Sequence, residues 1–412
     1  MNLPPPFRPY DPEKDREAAH RIWREVGWLE KGKEEWMDRY VTSGRALVAE
    51  MEGEAECLVL TAPGTLRYLE EDLPFSCVTG VTTSRVARKQ GFAGRLTALA
   101  VAVDAREGAL VSGLGMFEQG FYNRLGFGTG GYEHWISFDP AHLKVSTTPR
   151  APRRLTLEDW EQAHAARLAR LRGHGGCNLL PAEHTRGEMY EDNAFGLGYY
   201  DGPGGELTHY VWLHPHGVES GPYQVPWMVY QTGPQLLELL ALLHSLADQV
   251  RLVRLREPQG IQLQDLIDRP FQRRAASEKG RFESDMHARA YWQMRICDLP
   301  GCLAHTHLTG PELRFNLSLS DPITRLLDAD AAWRGIGGEY VVTLGEASSA
   351  RAGSDPALPT LSATVNAFTR LWLGVRPATG LAVTDDLAGP PELLQALDRA
   401  FCLPDPKPDW DF

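Results

Sequence analysis

The stretch Val81-Thr82-Thr83-Ser84-Arg85-Val86-Ala87-Arg88-Lys89-Gln90-Gly91-Phe92-Ala93-Gly94-Arg95-Leu96 constrains the fold more than any other part of the chain. It reads as a β-branched strand, a cationic turn containing glycine, and a long apolar helix from about Ala93 to Arg106. Strand, tight turn and helix in immediate succession point to α/β architecture. Such a turn leaves the first N–H groups of the helix unpaired at the positive end of its dipole. It is an anion cradle, suited to a pyrophosphate. Gly91 lets the backbone approach a phosphate closely, Gly94 keeps the first helical turn slim, and Arg88 and Lys89 add charge. A basic glycine turn is also an ordinary helix start, so the segments beyond the helix decide between the two.

After the helix, Ala109-Leu110-Val111 reads as a strand, and then comes Gly115-Met116-Phe117-Glu118-Gln119-Gly120-Phe121-Tyr122-Asn123-Arg124-Leu125-Gly126-Phe127-Gly128. The pattern Arg88-x-x-Gly91-x-Ala93 resembles the acyl-CoA loop of the GNAT superfamily of N-acetyltransferases. Phe121 to Phe127 fits the aromatic-Tyr-x-x-hydrophobic-Gly-aromatic segment that comes next in that superfamily. A tyrosine among glycines is otherwise a core residue with its hydroxyl satisfied. Two linked motifs in the right order favour an acyl-CoA-dependent transferase.

At 412 residues the chain has room for two or three domains, at roughly 150 residues each. Its 43% apolar and 23% charged residues are ordinary for soluble globular material. No apolar run approaches the roughly 18 residues a membrane helix needs, and Met1 to Arg8 lacks the apolar centre of a signal peptide. Cys57, Cys77, Cys177, Cys297, Cys302 and Cys402 follow no disulfide spacing, so the expectation is reduced thiols in the cytoplasm. The net charge of −12 disfavours nucleic acid and mildly favours cationic amines.

Along the chain, Arg8 to Asp15 reads as a first strand and helix cap, followed by an amphipathic helix through Ala18, Ile22 and Trp23. Leu47–Met51 and Cys57–Leu60 form a hairpin around Glu52-Gly53-Glu54. Mixed strands and helices continue to Phe138, and Ser146 to Pro152 reads as a linker. The expected domains are 1–145, 146–290 and 291–412. In the second, Trp227 to Leu255 repeats strand, turn, helix and strand without the cationic glycine turn. It looks like a degenerate transferase fold. The third begins near Met294-Arg295-Ile296 and contains the alternating Leu313–Leu319 and the strand-to-helix run Leu361–Gly374. It is similar to a sterol-carrier-protein-like domain.

Tandem transferase-like α/β folds with mixed sheets, then a sterol-carrier-like module ending in Asp411-Phe412, together resemble the enhanced intracellular survival family of acetyltransferases. The family's cofactor loop usually carries three basic residues in a row, where this chain has Arg88-Lys89-Gln90. Its usual proline after the strand is replaced around Ser84-Arg85. The resemblance implies an acetyl-CoA cosubstrate, no metal, a primary amine as acceptor, and a homo-oligomer (trimer or hexamer). Val81, Thr82 and Thr83 would pair with the pantetheine arm, and the Val81 N–H would polarise the thioester carbonyl. Arg88, Lys89, Gln90, Gly91, Phe92, Ala93 and Gly94 would hold the pyrophosphate, with Phe117 and Glu118 flanking the cofactor. Tyr122 would serve the departing thiolate as acid or hydrogen-bond donor, which for full proton transfer requires a lowered phenol pKa. The Phe412 carboxylate would be the base, with Asp411 beside the amine.

Other constellations compete. Cys297-x4-Cys302-x2-His305-x-His307 has metal-ligand residue types at a spacing that matches no common zinc site, and reads as a strand plus a Pro300-Gly301 turn. His209, His214 and His216 read as loop residues. Trp23, Trp28 and Trp36 are either core or the lining of an amine pocket. No Gly-x-Ser-x-Gly elbow is present, and Cys77 is not needed as a nucleophile. Two alternatives to acetyl transfer remain: transfer of a longer acyl chain, and carriage of an apolar ligand by the last domain.

Overall fold

The computed structural model describes residues 3–116, 118–190, 193–270 and 279–411. The chain forms two compact units, one of Met1–Gly131, His174–Pro181 and Tyr291–Phe412, the other of Tyr132–Gly173 and Ala182–Ala290. Among the described residues the first unit holds an eight-stranded and a five-stranded sheet, and the second a seven-stranded sheet.

The larger sheet of the first unit contains β1 (Phe7–Pro9), β2 (Arg45–Met51), β3 (Glu54–Tyr68), β4 (Glu71–Thr83), β5 (Val111–Gly115) and β6 (Gly128–Thr129). Its order is β1-β2-β3-β4-β5, then β15 (Trp292–Ile296), then β6, and β9 (Cys177–Leu179) attaches to β3. Local chemistry sets the expected pieces. Glu52 and Gly53 both take left-handed φ, 55° and 92°, which is the two-residue turn a tight hairpin needs. Helix α1 (Pro12–Val26) starts where the Asp11 carboxylate accepts the Glu13 N–H, and stops at Gly27 with φ of 80°. Helix α2 (Glu34–Thr42) comes next. Helix α3 (Phe92–Arg106) is the apolar helix after the cationic turn, with Leu96 to Val103 buried. Helix α4 (Gln119–Asn123) carries Tyr122.

The remainder of the first unit is β16 (Leu313–Ser320), β17 (Gly338–Leu344), β18 (Ser349–Ala352), β19 (Thr360–Thr364) and β20 (Leu387–Ala388), ordered β18-β17-β16-β19-β20. Its helices are α8 (Leu299–Ala304), α9 (Val365–Trp372), α10 (Ala378–Thr384) and α11 (Pro391–Ala400). The second unit contains β7 (Glu133–Phe138), β8 (Arg153–Leu155), β10 (Phe195–Tyr199), β11 (His209–Pro215), β12 (Tyr223–Val229), β13 (Val253–Arg256) and β14 (Asp285–Arg289). Its helices are α5 (Trp160–Ala169), α6 (Ala182–Met189) and α7 (Gly233–Ser245), the last started by a Thr232–Gln235 capping box.

The structure departs from the sequence reading at several joints. Glu133–Phe138, expected in the first part, pairs with β13 and β14 in the second unit, because Ile136 and Phe138 complete that unit's core with Val253 and Leu255. The strand at Met294, expected to open a separate third part, lies between β5 and β6 with all five residues buried. Residues 291–412 thus share a core with the first part. Tyr68 of β3 stacks on Trp372 of α9 at 4.3 Å and 5°, and its hydroxyl donates to the Trp372 carbonyl at 3.0 Å. Pro300-Gly301 is not a turn. Asp298 caps α8 through the Gly301 N–H at 3.0 Å, and proline is tolerated in a first helical turn. His209 and His214 lie in strand β11, not in a loop, and His209 is fully buried against the Tyr199 ring.

Candidate active site

The site is built where two parallel strands part. β4 and β5 pair in parallel from Phe75 with Val111 to Val78 with Leu114, and there the pairing stops. On the other side of β4 the register slips at the same level, where Leu60 faces Gly80 and Thr61 faces Val78, so Thr79 is a bulge. A bulge bends its strand and increases local twist. Thr79 to Thr83 therefore continue along β3, and among the described residues no strand pairs with their β5-facing edge. The result is a wedge with open backbone groups along Val81 to Thr83.

The cationic turn comes directly after this wedge. The Ser84 N–H bonds the Glu56 carbonyl at 2.9 Å, the Arg85 N–H bonds the Glu25 carboxylate at 2.6 Å, and the Ala87 N–H reaches the Ser84 hydroxyl at 3.4 Å. The turn is fixed at its base while Arg88, Lys89, Gln90 and Gly91 stay exposed. Lys89 and Gly91 both take left-handed φ, 63° and 82°. Gly91 occupies the N-cap of α3 and supplies no side-chain cap, so no side chain takes up the first N–H groups, those of Phe92, Ala93 and Gly94. A Cβ at Gly91 or at Gly94 would meet nothing within 4 Å. Among the described residues, neither Arg88 nor Lys89 has an ion-pair partner. Uncapped N–H groups, unpaired cations and open space together are the features of an anion-binding helix start.

Tyr122 belongs to the same apolar cluster as Val78, Leu96 and Leu114, against which Val81, Phe92, Ala93 and Met116 also pack. The structure thus brings together the wedge, the start of α3 and the tyrosine. Tyr122 is 4% exposed, and among the described residues its hydroxyl makes no hydrogen bond. Burial, with a smaller contribution from the Glu118 carboxylate, pushes the phenol up to about 12. Of the two roles expected for Tyr122, this direction favours the hydrogen-bond donor over full proton transfer. Glu118 caps α4 through the Gly120 N–H at 3.1 Å, and Phe117 lies outside the described residues.

The tail as far as Asp411 docks in this unit. Pro406, Pro408 and Trp410 are alternately buried along the tail, Trp410 to 1% exposure. The Cys177 N–H donates to the Pro408 carbonyl at 2.8 Å, and the Lys407 N–H to the His174 carbonyl at 3.1 Å. The Tyr291 hydroxyl donates to the Trp410 carbonyl at 3.4 Å, while the Tyr291 carbonyl accepts from the Met116 N–H at 2.7 Å at the end of β5. Asp411 is half-buried beyond Trp410, and Phe412 lies outside the described residues.

The tryptophans take a different place from Tyr122. Trp23 meets Trp28 edge-on at 5.6 Å and Trp36 at 6.0 Å, on the face of the sheet that carries Val48, Leu58 and Leu60. Leu47 and Val59, which alternate with these, belong to the Tyr122 cluster on the opposite face. Trp28 is 47% exposed. The aromatic group reaches the wedge through Tyr40, whose hydroxyl donates to the Thr79 carbonyl at the bulge, 3.4 Å away. Cys77 is fully buried in the paired part of β4.

One group of metal-ligating side chains, Asp201, His209 and Glu238, was not legible in the sequence because its members are far apart. Arg150 already engages both of its carboxylates, with bonds of 2.7–3.0 Å to both Asp201 oxygens and 2.8 Å to both Glu238 oxygens. Arg150, together with a bond from His209, brings the Glu238 carboxyl down to about 2. The sequence-adjacent candidates do not converge on an ion. His305 and His307 reach the Glu71 carboxylate at 2.5 and 3.0 Å, while Cys297 and Cys302 are buried thiols raised by desolvation.

A wedge between parallel strands, an uncapped basic helix start and a buried tyrosine define an acyl-transfer enzyme. In agreement, residues 7–130 match the family model of an acetyltransferase (GNAT) domain. The chain carries a GNAT-type acetyltransferase domain in those residues. No curated protein matches it in sequence. Among solved structures it is similar to a probable N-acyltransferase from Enterococcus faecalis, with TM-score 0.79, 16% identity, and 98% of this chain and 99% of that chain covered. It is also similar to Eis1 from Mycobacterium abscessus (TM-score 0.76, 18% identity, 98% and 99% covered). A GCN5-related N-acetyltransferase from Kribbella flavida gives TM-score 0.74, 19% identity and 98% coverage of both chains. At these identities the likeness is one of fold. No described helix is long and apolar enough to cross a membrane.

Proposed function

We propose that the chain transfers an acetyl group from acetyl-CoA to a primary amine. The observation that carries the reading is the convergence of the wedge, the uncapped start of α3 that follows the cationic turn, and Tyr122 on one apolar cluster. The pantetheine arm adds as a strand along Val81, Thr82 and Thr83, and the Val81 N–H donates to the developing oxyanion. Arg88, Lys89, Gln90 and the N–H groups from Gly91 to Gly94 hold the pyrophosphate, with Phe117 and Glu118 beside the cofactor. The neutral amine attacks the thioester carbon, the C–N bond forms and the C–S bond breaks. The sulfur leaves as a thiolate stabilised by a hydrogen bond from the Tyr122 hydroxyl. The amine proton passes, directly or through water, to the Phe412 carboxylate, with Asp411 adding negative charge. The docked tail supports this role for the terminus. Trp28 and Trp36 are proposed to line the entrance for the amine, on the far side of the bulge from α3.

The whole-chain likeness supports membership of the enhanced intracellular survival family, with the second unit a degenerate transferase fold and Leu299 to Phe412 sterol-carrier-like. A cytoplasmic homo-oligomer, trimer or hexamer, is the corresponding proposal. Longer acyl donors and apolar cargo are the competing readings. The cavity of about 140 Å³ lined by Leu308–Leu313, Leu344, Gly345, Ala396, Arg399 and Ala400 favours neither, since small-molecule sites usually measure roughly 300–1,000 Å³. Calorimetric titration with acetyl-CoA, a long-chain acyl-CoA and a fluorescent lipid separates the three. Acetyl-CoA binding that is lost in Gly91→Glu supports the proposal, and lipid binding alone contradicts it.

A further inference from the structure

The turn that carries Tyr122 is too short to satisfy itself. A five-residue helix ends at Asn123 and the chain reverses through Arg124-Leu125-Gly126-Phe127, leaving carbonyl groups without helical partners. These carbonyls are taken up by side chains that arrive about 170 to 240 residues later in the sequence. Asn366 of α9 donates through Nδ2 to the Asn123 carbonyl at 2.8 Å and to the Phe127 carbonyl at 2.9 Å. Arg295 of β15 donates through Nη1 to the Leu125 carbonyl. Gln293, two residues earlier on the same strand, donates to Asn123 Oδ1 at 2.8 Å and to the Thr129 hydroxyl at 3.0 Å.

The donors are themselves fixed. Arg295 is fully buried and pairs with Asp321 at 2.6 Å, and Asp321 in turn accepts the Ile336 N–H at 2.9 Å and the Ile323 N–H at 3.2 Å. The turn lies flat on this platform. A Cβ at Gly126 would sit 2.7 Å from Arg295 Nη1, and one at Gly128 would collide with the Asn366 carbonyl oxygen. Gly126 also has φ of 85°, which favours glycine independently. The coupling to the tyrosine is direct. The Tyr122 carbonyl accepts from the Leu125 N–H at 2.9 Å and from the Phe127 N–H at 3.3 Å, two of the three residues whose own carbonyls are gripped.

We infer that Gln293, Arg295 and Asn366 are positioning residues that set the Tyr122 hydroxyl for the departing thiolate, making residues 291–412 part of the transfer machinery. The inference rests on the proposed role of Tyr122 in acyl transfer. It goes further in assigning a positioning duty to side chains remote in sequence that act through the turn carrying Tyr122. A buried polar clamp of this kind fixes one geometry because any slip would leave several buried groups unpaired. Side chains held only by apolar packing would tolerate small rotations.

The test is a double-mutant cycle on the full chain, assayed with acetyl-CoA and the fastest amine from a panel of an aminoglycoside, a polyamine and a lysine peptide. Asn366→Ala should lower kcat by about tenfold or more while the acetyl-CoA KM moves less than about twofold, because a hydrogen bond to a charged partner contributes at that scale. In a Tyr122→Phe background the same Asn366→Ala change should alter kcat by less than about twofold, since the group it positions is gone. Gln293→Met keeps volume and removes the donor, and carries the test by the same criteria if Asn366→Ala fails to fold. Equal losses in both backgrounds, or full kcat in Asn366→Ala and Gln293→Met, would overturn the inference while leaving the role of Tyr122 as donor to the thiolate intact. Full kcat in Tyr122→Phe alone would overturn that role, and this inference with it.

Discussion

Removing the Tyr122 hydroxyl tests how the leaving group is handled. The phenol is pushed up to about 12 by burial, whereas an alkyl thiol titrates near ~8.5. Full transfer of the proton to the thiolate would be uphill by about 3.5 units, or about 5 kcal/mol. On the proposed reading the phenol would act as a hydrogen-bond donor to developing negative charge, with the proton moving only late or not at all. A hydrogen bond to a charged partner contributes about 1.5–3 kcal/mol, so Tyr122→Phe should lower kcat by roughly 10- to 150-fold. The same variant should melt within about 1 °C of the parent, because among the described residues the hydroxyl makes no bond that folding would lose. The assay is free-thiol release under saturating acetyl-CoA. A second arm uses an acetyl thioester of a strongly acidic thiol, whose departure needs no donor, and there the deficit should shrink. A Tyr122→Phe enzyme with kcat within twofold of the parent would refute the reasoning, as would an equal deficit with both thioesters.

The other expectations concern the cradle, the terminus and acid stability. Gly91→Glu should raise the acetyl-CoA KM by about tenfold or more through charge repulsion, whereas Gly91→Ala should show only the strain of a left-handed residue, about 1–2 kcal/mol of stability; equal KM values would move the phosphates elsewhere. A short tag appended after Phe412 should collapse kcat with acetyl-CoA binding and melting temperature preserved, and full turnover of the tagged protein would remove the terminus from the chemistry. His184 is buried and lowered to about 4, by burial and then by His164 and Arg167. The unfolded chain binds its proton first, so stability should fall as pH drops from about 6.5 to about 4, by up to about 3 kcal/mol. In His184→Gln that slope should flatten, and an unchanged slope by urea titration would assign the acid sensitivity to other groups.

Legibility in the sequence tracked the range of the interactions. The turn at Lys89 to Gly91 and the Glu52-Gly53 hairpin are decided by residues within a few positions, and both were readable from composition and spacing. The start of β5 lies a little later than its apolar run suggests, because the Ala109 N–H is still tied to Asp104 at the end of α3. Pairing at long range could not be read. Trp292–Ile296 looks like any buried strand, and nothing near it says that its neighbours are β5 and β6. Cys177–Leu179 likewise joins β3 across more than a hundred residues. Gln293, Arg295 and Asn366 gave no motif at all, since a donor to a distant carbonyl needs only the right place in the fold. The His209 group was missed for the same reason, its partners Arg150 and Glu238 lying in other elements.

The central claim is acyl transfer at the wedge between β4 and β5, and amine-dependent thiol release tests it most directly. Acetyl-CoA is incubated with the full chain and each amine of the panel, free thiol is measured over time, and the amine product is weighed by mass spectrometry. The account predicts thiol release that requires an amine, a product heavier by one acetyl group in equal amount, and loss of both in Gly91→Glu. Thiol release that ignores the amine, or survives Gly91→Glu at the parent acetyl-CoA KM, would contradict it.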